Sequence, residues 1–216
     1  MKPVVLYSII AINVLMYVAV LVAGGDPINP SAKVLFDLGG NFAGDTLGGE
    51  PWRLITAMFL HAGLLHLAMN MYCLYQVKGL EQFFGRLGFA ALYLVSGLLG
   101  GIASLAFTTG VSIGASGAVF GLFGALLVVL YQRRHDIGTD AAKSQLFSLL
   151  QFVALNLVIG FVVPGIDQAA HIGGLLAGAA CAWFMRPEHE HSAKRRLAAV
   201  TGAGLGATAL GLVLMG

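Results

Sequence analysis

Apolar residues fill this chain in blocks rather than in stripes. Seven stretches, over about 3–22, 54–77, 87–107, 113–132, 146–163, 166–185 and 197–214, are apolar for nearly their whole length. A helix of roughly 20 such residues spans the ~30 Å hydrocarbon core of a bilayer. The pattern predicts an all-α membrane protein, a polytopic helical bundle with seven spans. Glycines inside the spans do not argue against it, because neighbouring helices re-satisfy the backbone there. The first and second spans are joined by 25–51, a stretch rich in Gly, Pro, Asn and Asp. It reads as an ordered or interfacial loop, with Val34, Leu35, Phe36 and Trp52 placed to touch the headgroup layer. The other connections are short, and the chain shows no internal repeat and no low-complexity segment.

Composition agrees with this reading. Hydrophobic residues make up 58% and charged residues 10% of the 216 residues, where a soluble domain carries about 25% charged. Mean hydropathy is +0.85. The formal net charge of +2 offers no basis for a nucleic-acid partner. Cys73 and Cys181 both lie in apolar runs and read as small core residues, not as a disulfide scaffold. The first apolar run is too long for the h-region of a signal peptide, about 7–15 residues, so it reads as a span.

Charge placement gives an orientation. With the N-terminus cytoplasmic, Lys2, Lys78, Arg86, Arg133, Arg134, Lys143, Arg186, Lys194, Arg195 and Arg196 fall inside. Only Lys33 and Arg53 fall outside. This is a strong positive-inside bias, and it puts the C-terminus outside after seven spans. Counting back from Lys78, Arg133 and Arg186 at ~1.5 Å per residue puts Ser116 roughly 5 Å, His171 roughly 8 Å and His66 roughly 12 Å below the outer face. Three polar residues on three helices thus share the outer half of the bilayer. Such groups are costly there and mark a site.

Ser116 lies between Gly114 and Gly117 at the start of the fourth span. A serine in a membrane helix ordinarily bonds its own backbone. Near a helix N-terminus, however, free N–H groups point at whatever binds there. A serine so placed can attack a carbonyl while its own amide steadies the oxyanion. His171 is followed at i+3 and i+7 by Gly174 and Gly178, and the fourth span offers Gly117, Gly121 and Gly124. Small residues on both helices permit close backbone approach in lipid, which would bring His171 to Ser116 as a general base. A lone buried histidine can equally be a packing residue. His66 and Asn70 are i,i+4 on the second span, share a face, and can both donate to an oxyanion. His61 lies about 140° around the helix from His66 and reads as a loop or lid-side residue. No carboxylate lies well inside a span. Asp167 is nearest, one turn from His171, and is a doubtful orienter, so a Ser–His dyad is the simpler reading. Zinc is a poor alternative, since His61 and His66 do not share a face and have no acid beside them. Haem held by His66 and His171 is weaker still, and no cofactor is expected.

Together these motifs resemble those of the rhomboid family of intramembrane serine proteases. The matching residues are Trp52-Arg53, the H-x4-H-x3-N run from His61 to Asn70, the G-x-S-G of Gly114–Gly117, and Ala170-His171 with Gly174 and Gly178. They occur in family order on the second, fourth and sixth spans, and the likeness covers about 3–185.

The resemblance implies Ser116 as nucleophile, His171 as general base, and the Ser116 amide, His66 and Asn70, with Gly114 beside them, as the oxyanion site. It implies a six-helix core, 1–186, with a water-filled cavity open to the outside. Here a linker and a seventh helix, 187–216, would follow. It implies single-span membrane proteins as substrates, cut in or next to their membrane segment. Entry would pass between the second and fifth helices, near Phe147 and Phe152, under a mobile cap around 162–167. A prokaryotic inner (plasma) membrane is the expected location. One departure is Phe120, where the family often has a tyrosine stacked on the histidine; a phenyl ring can still stack.

Two other functions compete. A catalytically silent protein on the same fold would bind transmembrane clients without cutting them. A transporter or channel would need ionisable residues near the midplane, and the charges here cluster at span ends.

Overall fold

The computed structural model describes residues 2–135 and 139–185, and these are all-helical. The helices are α1 (Val4–Val22), α2 (Ala32–Asp37), α3 (Ala43–Leu47), α4 (Arg53–Thr56), α5 (Leu64–Gln76), α6 (Gly79–Phe107), α7 (Ser116–Gln132), α8 (Thr139–Val162) and α9 (Gln168–Phe184). A 3₁₀ turn, Ala57–Phe59, follows α4. The seventh apolar window, 197–214, lies outside the described residues, as do the positions of Arg186, Lys194, Arg195 and Arg196.

Among the described residues, three helices are long and apolar enough to cross a membrane: α1, α6 and the Lys143–Val162 part of α8. The second apolar window is not one helix. α4 with its 3₁₀ turn and α5 meet at a bend of 92°. The windows that predict spans at 113–132 and 166–185 likewise overstate the helices, which begin only at Ser116 and Gln168. Hydropathy counts side chains and is blind to backbone. Residues 60–63, 113–115 and 163–167 are partly apolar but turned or extended. Non-helical backbone within a bilayer survives only where protein covers it or it lines a cavity.

The core is built on α6, α7 and α9. Their contact faces are glycine and alanine, so backbones meet directly. A Cβ on Gly174 would overlap the carbonyl of Gly117, and one on Gly178 would overlap the carbonyl of Gly121. Larger side chains, among them Phe84, Phe89, Leu92, Tyr93 and Leu122, fill the space around this seam. α8 stands apart, with Phe147, Leu155, Val158 and Phe161 all exposed.

Two buried charged side chains tie the periphery to this core. Glu81, in the first turn of α6, is fully buried. Its two carboxyl oxygens accept from the amides of Val5 and Leu6, at 3.0 and 2.8 Å. It thereby satisfies two free N–H groups at the start of α1. Arg53 donates from one guanidinium nitrogen to the carbonyls of Phe36 (2.6 Å) and Gly40 (3.1 Å), and from Nε to Glu50. Its guanidinium also lies over the rings of Phe36 and Trp52. The connection between the first two spans is therefore ordered, as the sequence suggests. Leu35 does not face the headgroup layer, however, but is buried with Val20 and Leu60. Trp52 is exposed. Asn41 pairs with Ser112 in an antiparallel bridge, joining this connection to the segment that leads into α7.

Candidate active site

Ser116 is the first residue of α7. The chain arrives there without helical structure through Ile113 and Gly114, and the amide of Gly114 donates to the carbonyl of Ala57 at 2.9 Å. Gly114 has φ +119°, a conformation that L side chains rarely adopt. A Cβ there would also lie 2.9–3.0 Å from the imidazole of His66 and 3.6 Å from Ser116 Oγ. Glycine is thus required twice over, by backbone and by space. The first amides of a helix lack partners within it, and α7 begins at the serine itself.

His171 sits one turn into α9, buried. Its Nε2 lies 2.8 Å from Ser116 Oγ. The glycine seam between α7 and α9 sets this distance, since the two side chains reach across where the backbones touch. The Phe120 ring lies against His171, with centroids 4.3 Å apart and planes 12° from parallel. For Nε2 to accept the serine proton, Nδ1 must carry the ring's own hydrogen. Nδ1 has no hydrogen-bond partner among the described residues.

Asp167 does not supply one. It caps α9, accepting from the Ala170 amide at 3.0 Å. Its carboxylate also accepts from the hydroxyls of Ser104, Thr108 and Ser112. Those four donors occupy the acid and bind the end of α6, the following loop and the start of α9 into one cluster. The sequence offered no signal for Ser104, Thr108 and Ser112, since hydroxyls scattered through an apolar region carry no spacing rule.

The histidines of the second window converge from two segments. His66, on α5, accepts through Nδ1 from the Ala62 amide at 3.2 Å. Asn70, one turn on, uses one amide hydrogen on the His66 carbonyl at 2.9 Å and has a second to offer. His61 is in the bend before α5, a loop residue as the sequence suggests. It is fully buried with its ring 5.0 Å from that of His66, edge to face. The 92° bend makes the helical angle between the two meaningless. The structure therefore brings Ser116, His171, His66 and Gly114 together, with Asn70 bonded to His66. Among the described residues no group of three His, Cys, Asp or Glu side chains is arranged to hold a metal ion.

Sequence comparison points in the same direction. A family model described as the Rhomboid domain matches residues 48–188. Rhomboid protease GluP of Bacillus subtilis (strain 168) is 37% identical over 205 residues, covering 92% of this chain and 38% of that protein. RHOMBOID-like protein 6, mitochondrial, of Arabidopsis thaliana is 44% identical over 158 residues, 70% of this chain and 49% of its own length. RHOMBOID-like protein 5 of the same plant is 42% identical over 155 residues, with the same coverages of 70% and 49%. The chain spans less than half the length of each of these relatives.

Proposed function

The chain belongs to the rhomboid family, and from that membership we propose that this multi-pass membrane protein is an intramembrane serine endopeptidase. It hydrolyses peptide bonds in or next to the membrane segment of single-span proteins through a Ser116–His171 dyad. The observation that carries this reading is the 2.8 Å contact between His171 Nε2 and Ser116 Oγ.

The reaction is acyl transfer. Ser116 Oγ attacks the scissile carbonyl as its proton passes to His171 Nε2. The carbonyl oxygen becomes an oxyanion, held by the Ser116 amide, His66 and Asn70. Gly114 leaves room for it. The intermediate collapses, and His171 gives its proton to the departing amine. Water then enters, loses a proton to His171 and attacks the acyl-enzyme, and a second collapse restores the Ser116 hydroxyl and frees the new carboxylate. The Phe120 ring holds the imidazole flat against α7 throughout. Each donor is worth about 3–4 kcal/mol in the transition state.

Residues 1–186 form the six-helix catalytic core in this reading, with 187–216 as a cytoplasmic linker and seventh span. The N-terminus is cytoplasmic, the C-terminus is outside, and the membrane is the prokaryotic inner membrane. Substrates enter between α5 and α8, which the exposed apolar face of α8 favours.

Cleavage of a single-span substrate in liposomes tests the proposal. Ser116→Ala should leave the protein folded and abolish cleavage. A fluorophosphonate should label Ser116 only while His171 is present. Cleavage that survives Ser116→Ala would overturn the dyad. A parent protein that binds single-span segments but cuts none would favour a silent client-binding role.

A further inference from the structure

We propose that Ala62 is a positioning residue for the oxyanion site: its backbone N–H fixes His66 as the tautomer that carries hydrogen on Nε2. The inference rests on the reading of Ser116 as nucleophile only for its catalytic consequence, not for the tautomer itself.

A backbone amide can only donate, so the 3.2 Å contact from Ala62 N to His66 Nδ1 requires a lone pair on Nδ1. In a neutral imidazole the hydrogen must then sit on Nε2. That nitrogen is on the side of the ring that faces Gly114. A Cβ built on Gly114 would lie 3.0 Å from His66 Nε2 and 3.6 Å from Ser116 Oγ, so both atoms border the same small space. With hydrogen on Nε2, His66 presents a donor to an oxyanion formed there. The other tautomer would present a lone pair, turning an attraction into a repulsion.

The Ala62 amide is itself held in place. Leu64 donates to the Pro27 carbonyl at 2.9 Å. Gly63 has φ +101°, and a Cβ there would overlap the backbone of Ile28. His61 is buried on the other side, its Nδ1 3.3 Å from the Phe59 carbonyl. The bend is therefore pinned at 61, 63 and 64, while the Ala62 side chain faces outward, exposed. This separates the two functions of the residue: the side chain is dispensable and the N–H is not. A helix continuing N-terminally from α5 would bury that N–H in its own ladder. The break at 60–63 is what makes the amide available to His66.

The test has a spectroscopic and a kinetic arm. In protein labelled with ¹⁵N-histidine, with the His66 signals assigned through His66→Gln, Nδ1 should resonate as an unprotonated nitrogen and Nε2 as a protonated one. The same should hold in Ser116→Ala, where no catalysis is at stake. A protonated Nδ1 would overturn the proposal even if cleavage is intact. Conversely, a correct tautomer in a protein whose cleavage ignores Ser116→Ala would leave this inference standing and remove the proposed function.

The kinetic arm removes the N–H. Ala62→Pro lacks the N–H. It should lose ~10- to 100-fold in kcat with KM little changed, approaching the loss expected for a missing oxyanion donor. Added to His66→Ala it should cost nothing further, as expected of groups acting as a unit. Because the proline ring can disturb the bend, the decisive variant replaces Ala62 by its α-hydroxy acid. That exchange turns the N–H into an ester oxygen and leaves the shape alone. Full kcat in the ester protein would overturn the proposal, and a kcat loss with a mixed or inverted His66 tautomer would support it.

Discussion

Phe120 and His171 lie face to face, their ring centroids 4.3 Å apart and their planes 12° from parallel. Both are buried, and they come from helices whose backbones touch. The stack limits rotation of the imidazole about the direction that would carry Nε2 away from Ser116. An aromatic pair contributes roughly 0.5–1.5 kcal/mol beyond its buried area. Phe120→Leu keeps most of the volume and removes the stack, so kcat should fall roughly two- to tenfold with only a small change in Tm. Phe120→Tyr should cleave about as well as the parent. Steady-state kinetics on one transmembrane substrate check both.

Gly174 and Gly178 set the distance between the Ser116 and His171 side chains. A methyl at either position meets a carbonyl of α7, backbone against backbone, with no flexible atom to yield. Overpacking of this kind costs about 1–3 kcal/mol or more. Gly174→Ala should therefore lower Tm and abolish fluorophosphonate labelling of Ser116 together. Thermal melts in detergent with and without the probe check this. Labelling at the parental rate in a fully folded Gly174→Ala protein would show that the seam does not govern the dyad.

Asp167 is a structural acid, and its substitution should look different from loss of a triad member. Where a carboxylate orients the histidine of a triad, the Asn variant drops kcat by ~10⁴-fold. Here the acid already accepts from Ser104, Thr108, Ser112 and the Ala170 amide. Asp167→Asn keeps the shape and one acceptor oxygen, and should retain kcat within about tenfold. Asp167→Ala also loses the helix cap, which is worth about 0.5–2 kcal/mol. It should therefore melt well below Asp167→Asn. A 10⁴-fold loss in the Asn variant would make Asp167 a catalytic orienter after all.

These residues also show what the chain reveals before it folds. The seam was legible because a glycine every third or fourth residue in an apolar helix has few uses other than close approach. Ser116, His171, His66 and Asn70 stood out because polar groups are conspicuous among apolar neighbours, and the structure brings Ser116, His171 and His66 around Gly114 with Asn70 bonded to His66. The helix starts were not, since Ile113 and Leu60 are as apolar as residues inside a span. His61 is the loop residue the sequence suggests, but its nearness to His66 was hidden, because an angle measured on a helical wheel has no meaning across the 92° bend. The Glu81 cap on α1 and the hydroxyls around Asp167 depend on contacts more than 50 residues apart in sequence, which no local pattern encodes.

The last prediction concerns α8, the helix proposed to stand beside the substrate path. Its tie to the start of α9 is a hydrogen bond from Gln168 Nε2 to the Leu157 carbonyl at 2.7 Å. Gly160 makes that contact possible, because a Cβ there would overlap the Gln168 amide. Leu155, Val158 and Phe161 are exposed on the same helix, so this end of α8 has little other packing to hold it. Gln168→Ala removes the donor and Gly160→Ala displaces it. Either should loosen the end of α8 without touching Ser116 or His171. Hydrogen exchange should rise selectively over residues 155–163. Labelling by a small fluorophosphonate should stay within about twofold, because the dyad is intact. Cleavage of a transmembrane substrate should change by more than that, because entry, not chemistry, has been altered. If both variants label and cleave in parallel with the parent, Gln168 merely fills space, and the α8 end is held by lipid and by its own helix.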